Sequence, residues 1–179
     1  MSQPFASTKK ALRRFRRNRR GSAAVEFALV APVFFALLFA ILETGIIFFA
    51  GQVLESVTQD SSRQILTGQA QKAAYLTPDD FKTNVVCPRI GVLFDCKNGV
   101  YVDVQNYSQF STVNLAAPID SSGNFKTMNY SPGGPGDIVV VRLFYQWPLV
   151  VTGLGYNIAN MNNNKRLLTA TAAFKNEPY

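Results

Sequence analysis

The chain passes from a polar, basic start directly into one long apolar stretch. No residue from Phe27 to Leu42 is charged, and after Glu43-Thr44-Gly45 the apolar pattern resumes and continues to Ala50. As a helix, this stretch would be about 36 Å long, enough to cross a hydrocarbon core of about 30 Å with some tilt. A buried core helix is one alternative, but the remaining residues are too polar and turn-rich to cover it on every side. A secretory signal peptide is another, but its apolar region would be shorter and followed by a small-residue cleavage site. The pattern therefore predicts a transmembrane helix.

Beyond this span the apolar residues return at near-helical spacing, which predicts that the helix continues as a stem: Val53, Leu54, Val57, Ile65 and Leu66. Gly68 is a plausible stop for it. Thr77-Pro78-Asp79-Asp80 then predicts a short capped helix, because Thr caps, Pro suits the first position and acids suit the first turn. Capping is a simpler explanation of the two acids than a metal site.

Three later segments alternate apolar and polar residues and predict β-strands: 100–105, 138–147 and 168–174. Their polar alternate positions favour an antiparallel sheet with one buried face, covered by the stem helix. The turn-rich segments Pro118–Gly136 and Asn157–Lys165 are expected to be solvated connections, with partner contacts as the alternative. The fold class is thus α+β: a long N-terminal transmembrane helix continues into a stem that packs on a small antiparallel sheet.

The charge of the chain is concentrated at one end. Lys and Arg number 18 against 11 Asp and Glu, a formal charge of +7, which would ordinarily suggest nucleic acid or an anionic membrane. Eight of the basic residues lie in residues 1–20, so the rest of the chain has ten basic and 11 acidic groups. Basic residues beside an apolar span are retained in the cytoplasm and contact anionic lipid. We therefore expect a cytoplasmic N-terminus, an exported C-terminal part and no nucleic-acid partner.

Composition also argues against catalysis. The chain has no histidine and two cysteines, which excludes Ser-His-Asp and Cys-His mechanisms and a four-cysteine zinc site. The one glycine-rich run, residues 133–136, lacks the Lys-Ser/Thr of a phosphate-binding loop. We expect no enzyme activity, no catalytic, metal or cofactor-binding residues, no cofactor and no small-molecule substrate.

The start of the apolar stretch carries a distinctive signal. A basic leader ends at Gly21, and the small residue Ser22 follows it. If the chain were cut after the glycine, Glu26 and Phe27 would be the fifth and sixth residues of what remains. This arrangement resembles the class III processing signal of type IV pilin-like proteins. The run Ala24–Pro32 with Glu43-Thr44-Gly45 resembles the TadE-like pseudopilins of the Tad (Flp) pilus system. Further similar segments cover nearly the whole chain, loosely from Ala116 to Gly136: Arg63-Gln64-Ile65, Thr67-Gly68-Gln69, the two cysteines, Asp137–Val141, Tyr145–Leu149 and Asn176–Tyr179.

The resemblance implies cleavage after Gly21 by a membrane prepilin peptidase, which leaves Ser22 as the new N-terminus. Gly21 allows an extended backbone and breaks the helix between leader and span. The new amino group and Glu26 would lie one above the other on a helix face, four residues apart, with Phe27 opening the apolar run. The alternative role for Glu26 is an acid stabilised by the dipole of a helix N-terminus.

Two further residues of the span are expected to matter for helix packing. Pro32 lacks an N–H donor and can loosen one helical turn. An ionised Glu43 facing lipid would be costly, so Glu43 is expected to face protein. The two interpretations are a contact with a partner helix and an acid near the exported interface of a tilted helix.

Cys87 and Cys96 lie in the part predicted to be exported, where an oxidising compartment favours a disulfide between them. Such a bond would close a loop of about ten residues and add roughly 2–3 kcal/mol of stability. Free buried thiols are the alternative.

Together these features predict four regions: a cytoplasmic leader 1–21, a transmembrane helix 22–50, a helical stem 51–76 and a periplasmic α+β domain 77–179. The favoured function is a minor pseudopilin in the bacterial inner membrane, in or at the tip of the pilus, with other pilin-like subunits, the assembly platform and membrane lipid as partners. The alternative is an uncleaved anchor whose periplasmic domain binds secretion or pilus-assembly components.

Overall fold

The computed structural model describes residues 21–151 and 156–179. The predicted basic leader therefore lies outside the described residues except for Gly21. The chain divides into two compact units, with the boundary between Leu42 and Glu43.

The described part of the first unit is the beginning of helix α1 (Ser22–Leu66). Its large apolar side chains are exposed; Phe27 and Leu29, for example, are 67% and 73% exposed. By length and composition, α1 is the one helix in the described chain that could cross a membrane. A soluble protein would not leave such a continuous apolar surface in water, which agrees with the predicted span.

In the second unit, one face of α1 becomes a core face. Buried residues recur at steps of three or four, the spacing of one helix face: Ile47, Ala50, Leu54, Val57, Thr58, Ser61, Ser62 and Ile65. The predicted continuation of the helix is confirmed. Ile47 and Ala50, which the sequence placed in the span, belong to the core of this unit.

The helix ends where the sequence predicted. Gly68 has φ 72°, a left-handed conformation that glycine adopts readily. The Glu177 amide donates to the Leu66 carbonyl over 3.0 Å and satisfies one of the carbonyls left open at the helix end. The ring of Tyr179 lies against Gly68, so that an added Cβ would overlap it.

Short helical elements follow: α2 (Gln69–Lys72), α3 (Pro78–Phe81), a π-helical segment (Lys82–Val86), α4 (Cys87–Ile90) and α5 (Cys96–Gly99). At α3, Thr77 and Asp80 form the predicted capping box: the Asp80 amide donates to Thr77 Oγ1 over 3.1 Å, and the Thr77 amide donates to Asp80 Oδ2 over 3.0 Å. The hydrogen bond from the Thr77 side chain is the main cause that lowers the pKa of Asp80.

Three antiparallel strands form the sheet in the order β1 (Val100–Tyr107), β2 (Ile138–Pro148), β3 (Lys165–Lys175). Val102 pairs with Leu143, and Val141 pairs with Ala172. The face with these residues packs in one hydrophobic core with α1 and the short helices. The three predicted strands and the α+β class are confirmed.

The expectation of a single buried face is wrong for the central strand. On the second face of β2, Ile138, Val140, Arg142 and Phe144 are also buried. Arg142 Nη2 lies 2.7 Å from Asp103 Oδ2 on β1, and the pair is almost fully enclosed.

The covering layer is the long connection between β1 and β2. Arg142 Nη1 donates to the Ala116 carbonyl over 2.8 Å, and the Asn129 amide donates to Asp103 Oδ1 over 3.0 Å. The Phe125 ring stacks on Tyr101 with centroids 3.8 Å apart. The segment Pro118–Gly136, expected to be a solvated connection, thus also packs on the sheet through the Phe125 ring and the Asn129 amide, although most of its residues remain exposed.

Gly68→Ala should destabilise the protein by more than about 1 kcal/mol, because alanine is strained at this φ and its Cβ would displace Tyr179. Urea unfolding of the full chain in detergent, followed by the fluorescence of its one tryptophan, measures the effect. Gly51→Ala is the matched control: Gly51 lies within α1 with open space around it, so alanine should stabilise by roughly 0.5–1 kcal/mol. Equal stability of the Gly68 variant and the wild type would contradict the proposed role of Gly68.

Candidate functional site: the apolar helix and the Glu43 contact

The predicted processing residues lie at the beginning of α1. The α-helix starts at Ser22, immediately after the exposed Gly21. Glu26 follows one helical turn after Ser22, and Phe27 projects an exposed aromatic side chain. The expectation that Gly21 breaks the helix is wrong, because Gly21 forms a 3-10 helical turn directly before the first residue of α1, and the predicted cut lies between the two.

Pro32 lies inside α1, and the helix continues through it. The side chains next to it in sequence are small or apolar, and Val33 is 56% exposed. Its predicted role in packing on another helix stays a prediction.

Glu43 is buried, with 8% of its surface exposed, and it faces protein of its own chain. Its Oε1 accepts hydrogen bonds from the backbone amides of Val150, over 2.5 Å, and Val151, over 3.2 Å. Its Oε2 accepts from the Val151 amide over 3.1 Å. Two backbone donors thus stabilise a carboxylate that would otherwise be costly to bury.

A second polar contact lies beside this one. The hydroxyl groups of Thr44 and Tyr156 form a hydrogen bond. Glu43 and Thr44 together therefore attach the segment after β2 to α1. More than 100 residues separate the partners, so no local sequence pattern could have predicted the pairing.

The structure contains the disulfide that the sequence predicted. The Cys87 and Cys96 sulfurs are bonded, and their Cα atoms lie 5.6 Å apart. Within the loop that they close, Phe94 is buried, and its ring centroid lies 4.8 Å from that of Tyr145 and 6.1 Å from that of Trp147. The disulfide and Phe94 together fix this loop on the sheet.

The C-terminal tail holds a residue whose role the sequence analysis missed. Asn176 is buried, and its Nδ2 donates to the carbonyls of Pro132, over 2.9 Å, and Gly134, over 3.0 Å. Its backbone amide donates to the Asp137 carbonyl. An asparagine near a chain end gives no signal of burial, and only its tertiary contacts reveal this structural role.

Within the described part of the chain, no group of three or more His, Cys, Asp and Glu residues could hold a metal ion. The geometry of the site is that of a helix, a buried carboxylate and backbone amides. The Glu43 carboxylate and its amide donors position the segment after β2, and helix α1 carries a long apolar surface.

A comparison with protein families finds a match for the segment that contains the apolar helix. The model of the TadE-like proteins matches residues 21–63. Residues 21–63 are TadE-like. The predicted resemblance is confirmed over these residues, and it associates the protein with the Tad pilus system.

The TadE-like segment extends from the glycine before α1 to the last turn of that helix. It contains Glu26, Pro32 and Glu43, whereas the cysteines and the sheet lie beyond it. No curated protein and no solved structure matches the chain. The apolar helix of this TadE-like segment supports a membrane anchor.

Glu43→Ala should release the segment after β2, because the Val150 and Val151 amides lose their acceptor at a cost of about 1–3 kcal/mol for a buried unsatisfied group. Hydrogen exchange of the full chain in detergent should be faster at these two amides. Glu43→Gln keeps one acceptor oxygen and should give a smaller increase.

The control for this prediction is Glu55→Ala, which removes an acid from the same helix where it contacts Gln59. Exchange at Val150 and Val151 should then stay as in the wild type. Unchanged exchange in Glu43→Ala would show that the carboxylate does not hold this segment.

Proposed function

We propose that this protein is a minor pseudopilin, a structural subunit of the Tad pilus that is cut after Gly21 by a prepilin peptidase. The observation that carries the proposal is the coincidence of two boundaries. Helix α1 begins at Ser22, and the match to the TadE-like family begins at residue 21. A peptidase needs an extended backbone at the cut, and a glycine at this position allows the chain to adopt one, although Gly21 itself forms a 3-10 helical turn that runs into α1.

The proposed regions follow from this placement. Residues 1–21 form the cytoplasmic leader, 22–50 the transmembrane helix, 51–76 the stem and 77–179 the periplasmic domain. The turns of α1 after Glu43 lie at the outer interface of the membrane, because one of their faces is already in a protein core. The disulfide supports an oxidising compartment for the folded unit.

The apolar helix supports a role in assembly through its own surface. Its small residues Ala23, Ala24 and Ala28 allow close approach of another helix. Other pilin-like subunits and the inner-membrane assembly platform are the proposed partners, and the subunit resides in the inner membrane and in or at the tip of the pilus. It catalyses no reaction itself.

The alternative function is an uncleaved membrane anchor whose exported domain binds pilus-assembly components. It is favoured by one observation: unit 43–179 has its own core, disulfide and covered sheet, which a binding module needs.

Cleavage is tested by determining the N-terminus of the protein extracted from membranes. We expect Ser22 as the first residue. The processed protein should then lack the eight basic residues of the leader and carry eight fewer positive charges than the full chain. Cells that lack the peptidase serve as the control and should retain Met1. An intact Met1 in wild-type cells would remove the pseudopilin mechanism and favour the uncleaved anchor.

Glu26→Ala should impair pilus assembly and leave membrane insertion intact, because the new amino group of Ser22 would lose its charge partner on the helix face. Pilus counts and the membrane-bound fraction of the subunit measure the two effects separately. Val25→Ala, a neutral change at the preceding position, is the matched control. Normal piliation in Glu26→Ala would count against the proposed role of Glu26.

A further inference from the structure

The disulfide loop and the segment held by Glu43 lie at the same end of the sheet. Phe94 of the loop packs on Tyr145 and Trp147, near the end of β2. Val150, which donates to Glu43, follows two residues after that strand. We call the disulfide loop 91–95, residues 147–151 and the first residues of β3 the Glu43 end.

The Glu43 end exposes apolar side chains that the described chain does not cover. Val92 is 105% exposed at the tip of the disulfide loop, Leu93 is 40% exposed, and Val150 is 87% exposed. Their backbone is held in place by the disulfide, by buried Phe94 and by the Glu43 carboxylate. Anchored loops with exposed apolar tips are suited to contact another apolar phase.

Basic residues lie on the segments next to these apolar tips. Arg89 and Lys97 flank the disulfide loop and are exposed. Lys165 and Arg166 begin β3 beside the end of β2, and they are half-buried and donate to Gln146 and to the Ile158 carbonyl. Asp95 is the exposed acid in the loop, and its carboxylate caps α5 through the Asn98 amide. The charges at this end are therefore complementary to an anionic surface.

Helix α1 indicates which surface this is. On the turns that begin this unit, Ile47 and Ala50 are buried in its core, whereas Phe48 and Phe49 are 72% and 58% exposed. These exposed aromatic side chains follow the apolar stretch that ends at Leu42, after the short interruption Glu43-Thr44-Gly45. One face of these turns thus meets protein while the other remains suited to lipid.

We infer that the Glu43 end is a second membrane contact, which lies on an anionic phospholipid leaflet with the tip of the disulfide loop in the headgroup region. The inference rests on the membrane insertion of α1 given under the proposed function. The apolar tips enter the interface, and the exposed side chains of Arg89 and Lys97 contact lipid phosphates. The disulfide then has a role beyond stability, since it holds Val92 and Leu93 at the membrane.

Tryptophan probes in the full chain test this contact. Trp147→Phe removes the only native tryptophan, and Val92→Trp then places a probe at a fully exposed position that tolerates it. The protein is reconstituted in vesicles of phosphatidylcholine and phosphatidylglycerol whose acyl chains are brominated near the headgroup. We expect the emission of Val92→Trp to shift to the blue and to be quenched by bromine. The quenching should be weaker in brominated vesicles of phosphatidylcholine alone.

Two further probes serve as controls in the same background. Phe110→Trp lies beyond the end of β1 that pairs with Ile138, at the opposite end of the sheet, and is also exposed. It should emit as in water and escape quenching. Phe39→Trp lies in the apolar stretch of α1 and should be quenched if that stretch is inserted.

The outcomes separate the two proposals. If Phe39→Trp is quenched but Val92→Trp escapes quenching, as Phe110→Trp should, the second membrane contact is overturned. The membrane anchor is then still supported. A blue shift of Val92→Trp without bromine quenching would mean that protein covers the loop, and would also overturn it. Equal quenching of Val92→Trp in vesicles of phosphatidylcholine alone would overturn the proposed preference for anionic lipid. No quenching of Phe39→Trp would overturn both the anchor and the contact.

Discussion

A single continuous helix has to meet two different environments, and the rest of the structure depends on how it does so. From Phe27 to Leu42 its side chains are apolar on every side and its large ones are exposed, as in a helix that faces lipid. After Glu43 one face carries the regularly spaced residues that complete the core of the second unit. The change happens within one or two turns, so the residues at that point must suit both environments.

Glu43 lies at this change and shows how the constraint is met. A carboxylate beside an apolar stretch is costly in lipid and costly in a core unless donors surround it. The amides of Val150 and Val151 supply those donors, and Thr44 adds a bond to Tyr156. The acid therefore fixes the end of the central strand to the helix, which in turn places the disulfide loop that packs on Tyr145 and Trp147 at the same end.

The opposite end of the helix is fixed by a different set of contacts. Gly68 permits a sharp stop, Tyr179 covers it, and Glu177 satisfies a free carbonyl. On the far face of the sheet, the ion pair between Asp103 and Arg142 organises the long connection through the Ala116 carbonyl and the Asn129 amide. A buried pair of this kind is costly unless its remaining donors and acceptors are satisfied, and here backbone groups satisfy them.

Local sequence patterns were sufficient to locate the elements whose cause is local. Apolar periodicity located α1 and the three strands, Thr77 and Asp80 marked a helix start, and Gly68 marked a helix end. The two cysteines were paired correctly because there is only one way to pair them. The run around Gly21 and Glu26 identified the TadE-like segment, since a family signal is itself a local pattern.

Long-range contacts in the folded chain determine what covers the second face of β2, which donors bind Glu43 and why Asn176 is buried. In each case the partner is distant in the chain and is usually a backbone amide or carbonyl. Every residue type carries such groups, so composition and spacing contain no trace of them. Side-chain periodicity reports which face of an element is apolar, whereas the satisfaction of buried polar groups depends on where the folded chain brings the backbone.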